Sequence, residues 1–266
     1  MSSNKALQKV RACYGRTKAG HVGTLDPLAT GLLPIALGEA TKTIPYFEKS
    51  QKVYVFEATW GQQRTTGDQE GAVMAVSDCR PTAHMIKARI GDFIGDIQQV
   101  PPVYSAIKID GQPAYQKMRR GDVPQMNPRS VRINTLELMS SDQSKAQFRM
   151  SCESGVFVRS LVRDLAISLG TVGYVSALRR VQVGPFSEKH MLKLEKILET
   201  QGDCGLKEHL HPLDVVLDDI PVVALEDNFM RRLMQGQRLC LKECALPQSS
   251  GEVLCRGLDG RPIGFA

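Results

Sequence analysis

The sequence predicts an α+β fold, and three observations carry it. The run Lys52 to Trp60 alternates, with Tyr54, Phe56, Ala58 and Trp60 on one side, as a half-buried strand requires. Two further runs, Ser130 to Met139 and Ala146 to Glu153, alternate in the same way and lie close enough in sequence to pair antiparallel. Helical patterns fall between the strands without a regular strand–helix–strand rhythm; in Val158 to Leu169 the residues Leu161, Leu165 and Leu169 face inward and Gly170 is the stop.

Taken in order, Ser3 is read as the N-cap of a first helix running to about Tyr14, striped by Leu7, Val10 and Tyr14 and stopped by Gly15. A glycine-rich loop around Asp26 leads into an apolar run, Gly31 to Leu37, with the look of a buried strand. Glu39 to Glu48 reads as a short helix that Pro45 shortens or kinks. After the strand Lys52 to Trp60, a polar loop from Gly61 to Gly71 carries Arg64 and Asp68, and a short strand spans Gly71 to Ser77. Pro81-Thr82 opens a helix whose apolar face is Met85, Ile86, Ile90 and Phe93, ending at Gly95. Val103 to Ile109 is expected as a strand closed by the Asp110-Gly111 turn, and a short basic helix covers Ala114 to Arg120. Tyr174 to Val183 is a strand, and a helix follows near Leu192 to Glu199. Gln201 to Pro212 reads as a polar connection. Beyond it, Asp227 to Gln235 is a helix capped by Gly236, with strands at Arg238 to Lys242, Glu252 to Leu258 and Arg261 to Ala266.

A chain of 266 residues, 42% of them hydrophobic, suits one large domain and one small one. The boundary is placed so that residues 1–212 form the first and 213–266 the second. No apolar run is long enough to span a membrane, and Met1 to Lys5 has no apolar segment of the secretory type, so a cytoplasmic protein is expected. Seven scattered cysteines without a Cys-x-x-Cys pair suggest neither a disulfide framework nor a zinc site. His209 and His211 with Cys204 lack a fourth ligand at zinc spacing and read as surface histidines. The net charge of +6 favours polyanionic partners. Lys117, Arg119 and Arg120 cluster, as do Arg129 with Arg132 and Arg179 with Arg180, and all are assigned to folded surface.

The loop itself holds one carboxylate, Asp26, among Gly20, Gly23, Gly31 and Gly38, with His21 nearby. Pro27 fixes its own φ and restricts Asp26, so the acid sits on a stiff turn. By composition alone an ordinary Asp-Pro turn is the simpler reading, and Tyr54 is a core tyrosine. The full pattern is more specific. His21-x-Gly23-Thr24-Leu25-Asp26-Pro27-Leu28-Ala29-Thr30-Gly31, then Leu33-Pro34-Ile35-x-Leu37-Gly38-Glu39-Ala40-Thr41-Lys42, resembles the signature of the TruB-type tRNA pseudouridine synthases of the bacterial stand-alone form. The likeness continues through Lys52-Val53-Tyr54, Pro102 to Lys108, Gly155 to Leu161 and Leu178-Arg179-Arg180, and reaches about Asp214.

The resemblance implies a mixed, mainly antiparallel sheet flanked by helices and a small, mainly-β, PUA-like RNA-binding segment over 213–266, shorter than usual. It also implies a further N-terminal strand with a Lys-Pro pair, ahead of the part matched by Met1-Ser2-Ser3. The implied activity is isomerisation of a T-arm uridine of tRNA to pseudouridine, with no cofactor, no metal, no protein partner, no membrane and a monomeric enzyme. Asp26 takes the family's nucleophile position. Tyr54 matches the tyrosine that stacks on the flipped base, His21 the residue that fills the gap left behind, and Leu178 an apolar wall for the base. Arg159 matches the arginine that orients Asp26 and keeps it ionised, with Asp68 as an alternative acidic partner. Phe157 stands where many members have tyrosine, and Lys42 is a phosphate contact or a plain helix lysine. Leu28-Ala29 favours the stand-alone enzyme over the guide-RNA-dependent relatives, which usually have lysine and valine there. A third reading is an RNA-binding folding helper with little catalysis.

Overall fold

The strand Lys52–Trp60 lies in the middle of the main sheet because it can be buried on both sides at its start: Lys52, Val53 and Tyr54 are all covered. The computed structural model describes residues 1–200, 203–217, 220–239, 253–260 and 262–265. Across the sheet the order is Phe186–Ser187, Gly173–Val183, Lys52–Trp60, Lys145–Cys152, Arg129–Ser141 and Gly95–Gln99. These pairings are antiparallel, and Thr30–Gly31 adds the parallel one, beside Gly173–Val183. The mixed, mainly antiparallel α+β architecture is the expected one.

One face of this sheet makes the core. Tyr54, Phe56, Ala58 and Trp60 meet Phe148 and Met150 of the neighbouring strand, under Leu161, Val162 and Leu165 of the helix Val158–Ser168. The Phe56 and Phe148 rings stack with centroids 5.2 Å apart. Fully burying one such side chain contributes about 1.5–3 kcal/mol. The other face is polar: Glu57 accepts from Lys145 Nζ at 2.8 Å and from Ser176 Oγ at 2.7 Å.

Several elements depart from expectation. Ser2, not Ser3, caps the first helix, Ser3–Cys13, by accepting from the Lys5 N–H; Ser3 is buried and serves the loop described below. Gly31 to Leu37 is not one strand. Pro34 has no N–H for a ladder, and the run divides into Thr30–Gly31 and Ile35–Leu37, each paired with a different partner. Gly38–Thr43 is a 3₁₀ helix, and Pro45 helps to start the helix Ile44–Glu48 rather than kinking it. The loop after Gly61 contains the strand Gln62–Arg64, paired with Val73–Val76. Met85 is exposed whereas Ile86 is fully buried in the helix Ala83–Arg89. Of Val103 to Ile109 only Lys108–Ile109 is strand. There the main chain has other duties: Ser105 O accepts from Tyr115 N and Ile107 O from Ala114 N. The supposed connection after Gln201 includes the helix Asp203–Lys207.

The chain divides into two compact units, Met1–Glu208 and His209–Ala266. In the second unit Val222–Leu225, which the sequence reading missed, pairs parallel with Leu254–Gly257, and Pro262–Phe265 completes a three-stranded sheet. The helix Asp227–Met234 covers its core of Val223, Leu225, Val253 and Cys255 with Phe229, Met230 and Leu233. The expected strand Arg238 to Lys242 lies mostly outside the described residues. Among the described residues no helix is long and apolar enough to cross a membrane.

Candidate active site

The Asp26 loop is tied down at several points. His21 ends the strand Ala19–His21, paired with Ile35–Leu37. Val22 N donates to Pro34 O at 2.9 Å. Ser3 Oγ accepts from Leu25 N at 2.9 Å and donates to Leu25 O at 3.2 Å, which fixes the residue before the acid. Ala29 N donates to Asp26 O at 2.9 Å, closing the turn that Pro27 stiffens. Leu28 and Ala29 then pack against the main core. Gly31 returns the loop to the sheet with φ of 96°; a Cβ there would lie 2.2 Å from Arg180 O, so only glycine fits.

Arg159, in the first turn of the helix Val158–Ser168, grips Asp26 with two parallel bonds: Nε donates to Oδ2 at 2.9 Å and Nη2 to Oδ1 at 2.7 Å. This fork matches a carboxylate in both geometry and charge. Two further bonds hold the arginine, Nη1 donating to Thr66 O at 2.9 Å and Nη2 to Tyr104 O at 3.0 Å. The arginine side chain is 5% exposed and that of Asp26 29%, so the pair is held from within and reachable from outside. Asp68 Oδ2 lies 3.8 Å from Arg159 Nη1. Its Oδ1 accepts from Thr66 Oγ1 at 2.5 Å and Glu70 N at 3.0 Å. Asp68 is thus a second acid beside the arginine, while Asp26 holds the bidentate position. Burial pushes the Asp26 carboxyl above its ordinary value; the Arg159 charge and hydrogen bonds pull it back without cancelling the rise, and Asp68 adds to it.

Tyr54 is buried and sits in register opposite Arg180 and Met150. Burial raises its phenol above the ordinary range, and the Arg180 guanidinium opposes that rise. Burial, then Arg180, lowers the His21 imidazole and favours the neutral ring. His21 Nδ1 is buried without a hydrogen-bond partner. Leu178 belongs to the same apolar cluster as Tyr54, Leu28 and Ala29. Phe157 is the residue before the helix Val158–Ser168, half-buried, with its N–H donated to Gln99 Oε1 at 2.7 Å. Lys42 stays apart from this group. It is 67% exposed in an ion pair with Glu39 at 2.6 Å.

Sequence reasoning missed Gln99, 1% exposed, and mistook Arg180 for surface charge. Arg179 does face outward, to Glu188 at 2.6 Å, but Arg180 is fully buried with its Nε 2.8 Å from Leu32 O. Successive strand residues point to opposite faces. Two adjacent arginines on a predicted strand could therefore not both be surface, and that signal was available.

A reachable carboxylate on a rigid loop, gripped from behind and bordered by a phenol and apolar walls, is chemically capable of covalent or acid–base work. The fold alone is shared with solved proteins. It superposes on a chain of a Cbf5-Nop10-Gar1 complex with a TM-score of 0.76 at 22% identity, covering 100% of this chain and 74% of that one. A chain of the archaeal box H/ACA sRNP Nop10-Cbf5 complex gives 0.74 at 20% identity, with the same coverage. In sequence, the TruB family pseudouridylate synthase N-terminal domain matches residues 11–158, and the tRNA pseudouridylate synthase B C-terminal domain matches residues 159–218. The chain therefore belongs to the TruB family of pseudouridylate synthases. The tRNA pseudouridine synthase B of Caulobacter sp. (strain K31) is 43% identical over 91% of this chain and 78% of its own length. That of Bradyrhizobium diazoefficiens is 43% identical over 100% and 79%. That of Gluconacetobacter diazotrophicus is 43% identical over 100% and 89%.

Proposed function

We propose that this protein is a stand-alone tRNA pseudouridine synthase that isomerises a T-arm uridine, with Asp26 as nucleophile. The observation that carries this is the bidentate Arg159 grip on Asp26, on the loop that bears the family motif, beside Tyr54. The reaction breaks the bond between C1′ and N1 of uracil, turns the base and joins C5 to C1′. A proton leaves C5 and one is gained at N1, so the product is an isomer and no redox partner is required. The target must first leave its stack, at a few kcal/mol. Stacking on Tyr54 returns about 1–3 kcal/mol, and Leu178 and Phe157 wall the base. His21, half-buried with the neutral ring favoured, suits the gap left in the RNA. Tyr54 is also the candidate for taking a proton from the sugar, a role that its burial opposes and Arg180 assists. Exposed Lys42 suits a phosphate contact, and the segment 213–266 suits a PUA-like RNA-binding module. The enzyme is assigned to the cytoplasm and to a monomer that works without a protein partner.

The test is incubation of the purified chain with unmodified tRNA transcript and no guide RNA, followed by mapping of pseudouridine. Modification in the T-arm that vanishes in Asp26→Asn, with tRNA binding retained, is expected. Activity only when a guide RNA is added points to the guided relatives, and binding without modification points to a folding helper.

A further inference from the structure

Arg180 is the largest unexplained investment of charge in the larger unit. It is 0% exposed, and its guanidinium donates to the carbonyl oxygens of Leu32 at 2.8 Å, Gly23 at 3.0 Å and Val22 at 3.3 Å and also hydrogen-bonds the Tyr54 side chain. Burying an ion costs several kcal/mol even after relaxation. A Met or Leu would fill the same space without that penalty. What an apolar residue cannot do is hold main chain on two sides at once, whereas the guanidinium fork can.

The carbonyls it holds lie at the two ends of the Asp26 loop, Val22 and Gly23 entering and Leu32 leaving. The main chain of Arg180 reinforces this, since its carbonyl accepts from Leu32 N at 2.8 Å and its Cα stands opposite Gly31. On its other side Arg180 stands in register with Tyr54. The loop is drawn in so closely that a Cβ on Gly23 would lie 2.9 Å from Arg180 Nη1.

We propose that Arg180 is a positioning residue for the isomerisation: it closes the two ends of the Asp26 loop onto the strand position that faces Tyr54, and so sets the nucleophile relative to the ring beneath the base. This rests on the reading of Asp26 as nucleophile. A displacement of about 1 Å at a reacting group lowers a rate on the order of 10²-fold. Lysine at 180 keeps the charge but offers a point where the loop needs a fork.

The experiment is single-turnover conversion of unmodified tRNA transcript by excess wild type, Arg180→Lys, Arg180→Met and Gly23→Ala, with tRNA affinity and thermal melting measured on each. Gly23→Ala leaves the arginine in place but crowds its guanidinium, and it also strains a backbone held at φ of 67°. Expected is a rate constant lower by about 10²-fold in all three variants at every temperature below their melting transitions. Reaction amplitude and tRNA affinity stay as in wild type. A purely structural role predicts the reverse: amplitude falls with the folded fraction, while the rate constant of what remains folded is that of wild type, and this overturns the proposal. Should the two Arg180 variants fail to fold, a wild-type rate constant in Gly23→Ala overturns it equally. Activity that survives Asp26→Asn overturns the reading of Asp26 and the positioning role with it. Activity silenced by Asp26→Asn but indifferent to Arg180→Lys and Gly23→Ala overturns the positioning role alone.

Discussion

Two arginines bury their guanidinium groups beneath one loop, and they do so with opposite chemistry. Arg159 meets a carboxylate, so its charge acts on the charge of Asp26. Arg180 meets chiefly carbonyls, so its fork holds the course of the main chain while its charge also acts on the Tyr54 phenol. The first is reachable through its partner Asp26; the second is sealed beneath the loop. A buried cation thus carries no single meaning, and the atoms it touches decide between tuning and framing.

The largest effect that would break this contrast is at the acid. Asp26→Asn should lower turnover by at least about 10⁴-fold, as loss of a nucleophile does, with tRNA affinity retained in a binding assay. If turnover persists, Arg159 has nothing to tune. Next comes the core of the main sheet. Phe148→Ala removes a fully buried ring and should lower unfolding free energy by about 3–5 kcal/mol. Denaturant titration reads this, and activity per folded molecule should hardly change.

A smaller effect separates charge from fork at Arg159. Arg159→Lys should reduce the single-turnover rate on the order of 10²-fold. Arg159 holds the Asp26 carboxyl down against burial, so weakening that grip should move the acid limb of the pH–rate profile to higher pH. The wild-type limb should itself lie above the ordinary aspartate value. For stability the sign is opposite: a carboxyl whose folded value is raised adds stability below its unfolded value and loses it as pH rises through the folded one. The smallest effect is at Lys42→Ala, whose exposed pair with Glu39 is screened by solvent, so thermal melting should hardly change. If that substitution weakens tRNA binding and flattens its salt dependence, the lysine meets phosphate.

Much of this was legible in the sequence wherever one period governed a long run. The alternation of Lys52–Trp60, Arg129–Ser141 and Lys145–Cys152 needs only a buried face to become structure. The resemblance singled out Asp26, Tyr54 and Arg159 before any geometry was known. Short segments whose backbone serves other partners were not legible. Tyr104 reads as part of a strand, yet its carbonyl is taken by Arg159. Ser3 reads as a cap, yet it braces Leu25. Arg180 was hidden for a different reason, since a charge in a sequence suggests water and only strand alternation argued otherwise.

The guanidinium of Arg159 gathers Asp26, Thr66 and Tyr104, three points far apart along the polypeptide. None of those points can be poised until the helix that begins at Val158 has docked. A chain emerging from the ribosome therefore cannot close this cluster until more than half of it has been made.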